Sequence, residues 1–184
     1  MIISLRGTSG AGKSHLARSI FEQYQTHREI GAEGRRQPLY TIHGRATPDG
    51  LGRRTLMVPG HYNIPNGGVD TIDTLDNAYG LARWANTLGY DVLMEGKCMS
   101  DGAVRIIERA RAGADARVVH INTPLAECIA SVRERGHNIS PQSIERTYHK
   151  VERDIEAILK SGDVRVFIGD RAQCKREIEG WLGL

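Results

Sequence analysis

The 184-residue sequence lacks any apolar run close to the roughly 20 residues that a transmembrane helix requires. We therefore expect no membrane partner, and the first residues carry neither the basic segment nor the cleavage site of a signal peptide. Cysteine is also scarce, since Cys98, Cys128 and Cys174 are an odd number without the spacing of metal ligands. This usage indicates reduced, packed thiols in a cytoplasmic protein rather than a disulfide framework.

The sequence also lacks a large excess of charge and a recognisable nucleophilic site. The formal net charge of +3 is too small by itself to indicate a nucleic-acid partner. No arrangement of Ser, His and Asp, or of Cys and His, stands out as a nucleophilic site. The string N-K-x-D, with which many GTP-specific switch proteins read their base, does not occur. Its absence favours a kinase over a nucleotide-binding switch module, and the second alternative stays open.

The sequence does contain a complete phosphate-binding motif, G-x-x-x-x-G-K-S, at residues 7–14. Its residues are Gly7, Thr8, Ser9, Gly10, Ala11, Gly12, Lys13 and Ser14. An apolar strand at 2–5 precedes the motif and an amphipathic helical pattern follows it, which is the context the motif needs. Backbone N–H groups would converge on the phosphates, Lys13 would reach the β- and γ-phosphates, and Ser14 would ligate Mg²⁺. We therefore predict that the chain binds a nucleoside triphosphate.

Short apolar runs alternate with helical patterns along the rest of the chain. Strands are predicted at 91–95, 117–121 and 164–168. Helices are predicted after Asp73 or Thr74, from Ser100-Asp101, after Thr123 with Pro124 as first residue, after Ser140, and at 174–182. This alternation predicts a single α/β domain over 1–184 with a mostly parallel central sheet.

Residues 26–72 interrupt that alternation. Strand patterns at 39–43 and 55–58 flank a turn-rich stretch at 47–52, which predicts a hairpin or an irregular insert after the first helix. Its place near the γ-phosphate predicts an acceptor-binding segment. The insert is rich in arginine, at Arg28, Arg35, Arg36, Arg45, Arg53 and Arg54. This bias suits phosphate binding, and equally it reflects a GC-rich genome.

Two carboxylates are candidates for the chemistry of transfer. Glu95 ends an apolar strand, so it would lie in the ligand crevice and hold Mg²⁺ or orient the acceptor. Asp70 follows the pair Gly67-Gly68 and would accept the proton of a substrate hydroxyl. The alternatives are a structural carboxylate at Glu95 and a helix N-terminal acid at Asp70.

Cationic side chains near the predicted nucleotide are the other candidates. Arg133 and Arg135 precede a glycine and would close over the triphosphate as part of a lid-like segment at 133–140. Helix ends also attract arginine to complement the helix dipole. Arg171 would stack on adenine, while its neighbour Asp170 is an equally good helix cap. His43 and His61, both in the insert, would contact substrate.

These segments resemble the group of P-loop kinases that includes nucleotide, gluconate and polynucleotide kinases. The resemblance rests on the loop at 7–14, Glu95-Gly96, the strand-to-helix passage at 121–128, and Arg133-x-Arg135. It implies a three-layer α/β/α fold and transfer of a phosphoryl group from ATP, with Mg²⁺, to a hydroxyl. An acceptor such as a free nucleotide or a small metabolite is compatible with these motifs.

A narrower resemblance involves the segments 60–62, 67–72 and 94–100. They are similar to bacteriophage kinases that phosphorylate the hydroxymethyl group of 5-hydroxymethyluracil in DNA, a step toward hypermodified thymidine. The resemblance implies an acceptor site formed by His61, Tyr62, Gly67, Gly68 and Asp70. It also implies contacts from Arg35, Arg36, Arg53 and Arg54 to the DNA backbone. A base in a duplex would have to be flipped out to reach the loop. We expect no obligate protein partner.

Overall fold

Strands and helices alternate along the part of the chain that the computed structural model describes, which is residues 1–31, 37–46, 53–62, 67–96 and 102–184. The strands are β1 (Ile2–Arg6), β2 (Thr26–Ile30), β3 (Tyr40–Ala46), β4 (Arg53–Pro59), β5 (Asp91–Glu95), β6 (Ala116–Ile121) and β7 (Arg165–Gly169). The helices are α1 (Lys13–Phe21), α2 (Leu75–Thr87), α3 (Gly102–Arg111), α4 (Leu125–Glu134), α5 (Pro141–Ser161) and α6 (Arg171–Leu182). The predicted turn at 47–52 and the predicted helix entry at Ser100-Asp101 lie outside the described residues.

The strands form one seven-stranded sheet in the order β2-β3-β4-β5-β1-β6-β7. The run from β4 to β7 is parallel, with Ile2 of β1 opposite Val92 of β5 and Ala116 of β6, whereas β2 and β3 add antiparallel strands at one edge. The mostly parallel α/β sheet and the β3–β4 hairpin are therefore confirmed. However, β4 pairs directly with β5, so the predicted insert continues the central sheet.

Helices cover both faces of the sheet, because side chains of each buried strand alternate between them. Ile3 and Leu5 of β1 pack toward α1, α4 and α6. On the other face, Ile2 packs toward α2, and Val118 of β6 packs toward α3 and α5. This gives the three-layer architecture expected from the sequence. Within the described part of the chain, no helix combines the length and apolar character needed to cross a bilayer.

Most helix starts follow the predicted capping chemistry. Thr74 Oγ1 accepts a hydrogen bond from Asn77 N at 3.1 Å, and Ser140 caps α5 with Pro141 at its first position. The prediction for α4 was wrong in detail: the helix begins at Leu125 with Pro124 as its cap residue. Thr123 instead turns its hydroxyl toward the phosphate-binding loop, donating to the Ala11 carbonyl at 3.4 Å.

Candidate active site

The loop at 7–14 connects β1 to α1 and has the backbone its glycines permit. Gly10 and Gly12 have φ angles of +92° and +88°, a region that side-chain-bearing residues rarely adopt. A Cβ on Gly10 would also collide with the backbone carbonyl of Cys128 in α4, so the loop lies directly against that helix. The N–H groups of the first turn of α1 point out of the helix end, where an anion is favoured.

Lys13 and Ser14 begin α1 and face the carboxyl end of β5. Lys13 Nζ donates to the carbonyl of Thr8 within the loop at 3.1 Å. Ser14 Oγ donates to Glu95 Oε2 at 3.2 Å, across 81 positions of sequence. The fold therefore brings together the two predicted magnesium-binding side chains, one from the loop and one from the neighbouring strand.

Glu95 is a buried carboxylate, only 4% exposed. Burial raises its pKa above the ordinary range and Asp70 adds to the rise, while the charge of Lys13 and the hydrogen bond from Ser14 oppose it. Burial together with the Glu95 charge raises the pKa of Tyr62 well above its usual value. The Tyr62 hydroxyl has no hydrogen bond of ordinary geometry to any described group. A carboxylate in this setting is poised to receive a cation or a proton donor.

The close backbone approach expected of the glycine pair is observed at Gly68. Its N–H donates to the His61 carbonyl at 2.9 Å, and its φ is +75°. A Cβ at this position would overlap the carbonyl of Glu95 and lie 2.9 Å from its Oε2. Only glycine lets this segment reach the carboxylate without displacing it.

Asp70 lies in a single 3₁₀ turn, Val69–Thr71, that follows the glycine pair. It is exposed, and a Cβ added to Gly96 would be 3.2 Å from Asp70 Oδ1. Asp70 is separate from α2, which begins at Leu75, and as an acid in the first turn of the 3₁₀ helix it also agrees with the alternative of a helix N-terminal acid. Two carboxylates, one buried and one exposed, therefore flank the end of β5.

Two residues that sequence reasoning treated as substrate contacts are buried. His61 is 1% exposed, and neither ring nitrogen has a hydrogen-bond partner among the described residues. His43 stacks on Phe21 at 4.8 Å, and burial lowers its pKa to about 4. His43 is therefore a neutral packing residue under the antiparallel strands, and the expectation that it contacts substrate is not supported.

Arg18 contacts Tyr62, and the sequence did not reveal this contact. Its Nη2 donates to the Tyr62 carbonyl at 2.8 Å, and its guanidinium lies 5.8 Å from the centre of the Tyr62 ring. Arg18 occupies the last turn of α1, where an arginine is expected merely to complement the helix dipole. Only the fold shows that this turn lies beside Tyr62.

Arg171 lies against the loop, within 3.1 Å of where a Cβ of Gly12 would be. Its neighbour Asp170 caps α6 through a reciprocal pair of hydrogen bonds with Gln173, so the helix-cap alternative holds for Asp170. Arg133 and Arg135 are exposed at the end of α4, the helix that contacts Gly10. Arg135 Nε donates to the Ser131 carbonyl within that helix at 3.0 Å.

Among the arginines predicted to contact DNA, Arg54 has a side chain that the structure describes, and it lies away from the loop. Arg54 Nη1 donates to the Leu182 carbonyl at 2.5 Å, where it caps the end of α6. Arg53 begins the same strand, and because β4 is parallel to β5, this end of β4 is opposite the edge that carries the loop. The structure thus shows a structural contact of Arg54, and its contact with DNA stays a prediction. Arg35 and Arg36 lie outside the described residues.

A cavity opens beside the ends of β1 and β5, on the face of the sheet that α2 and α3 cover. It is small, with a volume of about 30 Å³, and it opens to solvent. Arg6, Val69, Tyr79, Met94 and Gly96 are among its lining residues. The guanidinium groups of two further arginines lie over the ring of Tyr79, Arg105 at 5.6 Å and Arg109 at 4.6 Å from its centre. Sequence reasoning missed this cavity and its arginines.

A phosphate-binding loop at the carboxyl edge of a parallel sheet, with a serine and a buried glutamate in contact beside it, defines a P-loop nucleotide-binding site. No family model matches the chain. Over 135 residues, 73% of its length, it is 40% identical to a 5-hmdU DNA kinase of Pseudomonas phage PaMx11, of which the match covers 68%. The chain belongs to the family of that 5-hmdU DNA kinase, and it is an enzyme of the kinase type rather than a switch module. The resemblance drawn from the sequence is confirmed.

Among solved structures, the chain is similar to deoxyadenosine kinase from M. mycoides with bound dATP. The similarity spans 100% of both chains, with a TM-score of 0.47 and 14% sequence identity.

Proposed function

We propose that this kinase transfers the γ-phosphoryl group of ATP to the hydroxymethyl oxygen of 5-hydroxymethyluracil in DNA. The observation that carries the proposal is the cluster at the end of β5. There Ser14 contacts Glu95, and Gly68 brings Asp70 beside them. The same cluster occurs in a chain that is 40% identical to a 5-hmdU DNA kinase.

The residues at the end of β5 fit a magnesium ion. A hydroxyl and a carboxylate are the hard oxygen donors that Mg²⁺ prefers, and it commonly takes one or two protein ligands and completes its shell with water and phosphate. Ser14 Oγ and Glu95 Oε2 are 3.2 Å apart, so one ion could replace the hydrogen bond between them. Bound there, the ion would neutralise charge that develops on the β- and γ-phosphate oxygens.

The loop residues would hold the donor. Lys13 bonds to the Thr8 carbonyl, an interaction it can exchange for phosphate oxygens. Arg171 beside Gly12 would lie against the nucleotide. Arg133 and Arg135 on the lid-like segment would close over the phosphates, excluding water and stabilising the transferred group.

Asp70 would act on the acceptor. As the hydroxymethyl oxygen forms its bond to the γ-phosphorus, the bond from that phosphorus to the β,γ-bridging oxygen breaks and ADP leaves. The hydroxyl proton passes to the Asp70 carboxylate, which is exposed to the solvent side of the site. Glu95 is buried on the donor side, so its role is to hold the metal and Ser14.

Contacts to the DNA backbone are supported best on α2 and α3. Arg105 and Arg109 lie over Tyr79 beside the cavity, and exposed Arg83 is one turn further along α2. Guanidinium groups suit the phosphate oxygens of a DNA backbone. We do not include Arg54 among these proposed DNA contacts, because its side chain caps α6.

Transfer of label from γ-labelled ATP would test the proposal. Duplexes with and without 5-hydroxymethyluracil, free nucleotides and sugars would be offered in parallel, with Lys13→Ala as the inactive control. We expect label only on the modified duplex. Label on a free nucleotide or sugar alone would identify a small-molecule kinase instead. Release of free phosphate from every pool, without any labelled acceptor, would refute phosphoryl transfer.

A further inference from the structure

We infer that an exposed aromatic surface, formed by Trp84 of α2 and Tyr40 of β3, stacks on unpaired bases next to the acceptor nucleotide in DNA. The inference rests on the proposed function and specifies the form of its substrate, a strand that is opened beside the modified base. Both rings lie on the face of the sheet that α2 covers.

Trp84 belongs to an apolar ridge on the outer side of α2. Its surface is 43% exposed, and Leu88, one turn further along the chain, is 50% exposed. Leu81, one turn before Trp84, is partly exposed. Because residues three and four positions apart share a face of a helix, these side chains are neighbours. One exposed apolar side chain is ordinary, whereas a continuous apolar ridge with a tryptophan is typical of a contact surface.

Tyr40 extends this ridge with a second ring. The ring centres of Tyr40 and Trp84 are 5.7 Å apart and their planes are inclined by 60°. In this edge-to-face arrangement the rings do not stack on each other, so at least one ring face is not covered by the partner ring. Every nucleobase has a π face, so an aromatic ring of this kind can stack on a base of any identity.

Arginines border the aromatic surface on two sides. Arg83, which precedes Trp84 on α2, is exposed. Arg28 of β2 is exposed as well, and it is opposite Ile42, whose side chain lies on the same face of the sheet as that of Tyr40. No described residue of β2 or β3 on this face is acidic. The surface is therefore apolar in the middle and cationic at its border.

The positive border continues from Arg83 onto α3. Burial lowers the pKa of Arg109, and the neighbouring charges of Arg83 and Arg105 lower it further, while Glu108 opposes them. Asp76 pairs with Arg105, but Arg83 forms no ion pair with any residue that the structure describes. Like charges that are held close together repel, so this cluster favours an anionic partner.

This charge distribution selects DNA over a second copy of the chain as the occupant. Two copies that met symmetrically through this surface would bring the same patch of each copy together. Arg28 and Arg83 of one copy would then approach the arginines of the other. A phosphate backbone neutralises these charges instead, and its bases supply planar faces for the rings.

The aromatic surface lies at the same edge of the sheet as the candidate active site. Tyr40 is opposite Pro59, the last residue of β4, and Gly60 N donates to the Leu39 carbonyl at 2.8 Å. Strand β4 lies between β3 and β5, so Tyr40 is about 10 Å across the sheet from the end of β5. Bases that adjoin the acceptor in one strand are therefore within reach of the aromatic surface.

Stacking on these rings requires bases that are not paired. In a duplex both faces of a base are covered by its neighbours, and an enzyme gains access to a base only by opening the stack. A surface that holds the bases beside the acceptor would stabilise the opened strand. We therefore expect the protein to bind a single strand more tightly than a duplex of the same length.

The chain has two tryptophans, so each can be observed alone by fluorescence. Trp181→Phe leaves Trp84 as the reporter, and Trp84→Phe leaves Trp181. Trp181 is the matched control because it packs against the core on the other face of the sheet, with the guanidinium groups of Arg117 and Arg165 at 5.1 Å and 5.2 Å from its ring. The probes are a short oligothymidine and a fully paired duplex of the same length, without ATP.

We expect oligothymidine to quench the emission of Trp84 and to leave that of Trp181 unchanged. Trp84→Ala should bind oligothymidine about 5- to 150-fold more weakly than the wild type, the factor that corresponds to one stacked base. Trp84→Phe should retain part of the affinity and Trp181→Phe all of it, while duplex binding should change less. Thermal unfolding of each variant shows whether the fold is intact, and the Trp84 emission tests the contact without removing that ring.

The inference is overturned if oligothymidine leaves the Trp84 emission unchanged, or if Trp84→Ala binds it as tightly as the wild type. An equal loss of affinity for single strand and duplex would exclude stacking on unpaired bases. Quenching that depends on protein concentration without DNA, together with self-association in sedimentation, would identify an interface between copies of the chain instead.

Transfer of label from γ-labelled ATP to a single strand with 5-hydroxymethyluracil separates this inference from the proposed function. If the wild type transfers label and Trp84→Ala does so with the same KM for DNA, the aromatic surface has no role and the proposed function stands. If Trp84 is quenched by DNA but the wild type labels no DNA, the proposed function is wrong.

Discussion

Gly68 offers a sharp test of the site, because a single methyl group there meets the functional carboxylate. Its φ of +75° and ψ of −148° belong to a region that is essentially restricted to glycine. An alanine Cβ would overlap the Glu95 carbonyl and lie 2.9 Å from Oε2. Gly68→Ala must therefore strain the backbone and displace the end of β5 as well.

The two effects can be separated with a matched variant. Gly89 has a φ of +77°, yet a Cβ there would meet nothing within 4 Å. Gly89→Ala should therefore lower the free energy of unfolding by only about 1 kcal/mol, the cost of holding an alanine at a positive φ. Gly68→Ala should cost about 2–4 kcal/mol, since strain in the restricted region and steric displacement add.

Urea unfolding and steady-state kinetics measure both consequences. We expect Gly68→Ala to lower kcat at least about 10-fold under conditions where the protein is fully folded, because Glu95 would be moved relative to Ser14. Gly89→Ala should keep the wild-type kcat. The reasoning would be refuted if Gly68→Ala lost no more stability than Gly89→Ala and retained full activity.

The other predictions concern single functional groups. Lys13→Ala should abolish transfer with little change in thermal unfolding, since this lysine acts on phosphates; a large loss of stability would indicate a structural lysine. Asp70→Asn should lower kcat and leave the KM for ATP unchanged. An equal loss of ATP binding would indicate that Asp70 binds the metal instead. Because burial raises the folded pKa of Glu95, its protonated form stabilises the fold at low pH, and that contribution is lost as pH rises through the folded pKa. Glu95→Gln should thus be inactive yet more stable than the wild type at pH 7, with the difference vanishing at pH values below the unfolded pKa; unfolding curves across pH decide this. Replacing Arg83 and Arg109 with Gln should weaken DNA binding and flatten its salt dependence, and wild-type salt behaviour would exclude this surface.

Much of the fold could be predicted because local sequence patterns favour the same strands and helices that the contacts of the folded chain stabilise. The loop at 7–14 stands between an apolar strand and an amphipathic helix, and Ser140-Pro141 is a complete helix start. Strand β2 was missed for a physical reason. Four of its five residues are exposed, so its sequence has no apolar alternation to detect. Its pairing with β3 alone makes it a strand.

The candidate site was only partly predictable, because contacts across the sheet decide which residues meet. Glu95 could be predicted because it is an acid at the end of a strand. The glycine pair could be predicted because residues without side chains allow close backbone approach. The contact of Arg54 with the end of α6 could not be predicted, because its partner is a carbonyl 128 positions away in sequence. Arg6 was missed because nothing in its neighbourhood distinguishes a strand-end arginine from a solvated one. Its burial appears only when α3 packs over it.

The chemical identity of the product tests the proposed reaction most directly. DNA with 5-hydroxymethyluracil at one position would be incubated with the protein, ATP and Mg²⁺, digested to nucleosides and analysed by mass. We predict one added phosphoryl group on the hydroxymethyl oxygen of that base, and no product with Lys13→Ala. An unmodified base, together with phosphorylation of a free nucleotide or of a DNA end, would contradict the proposed reaction.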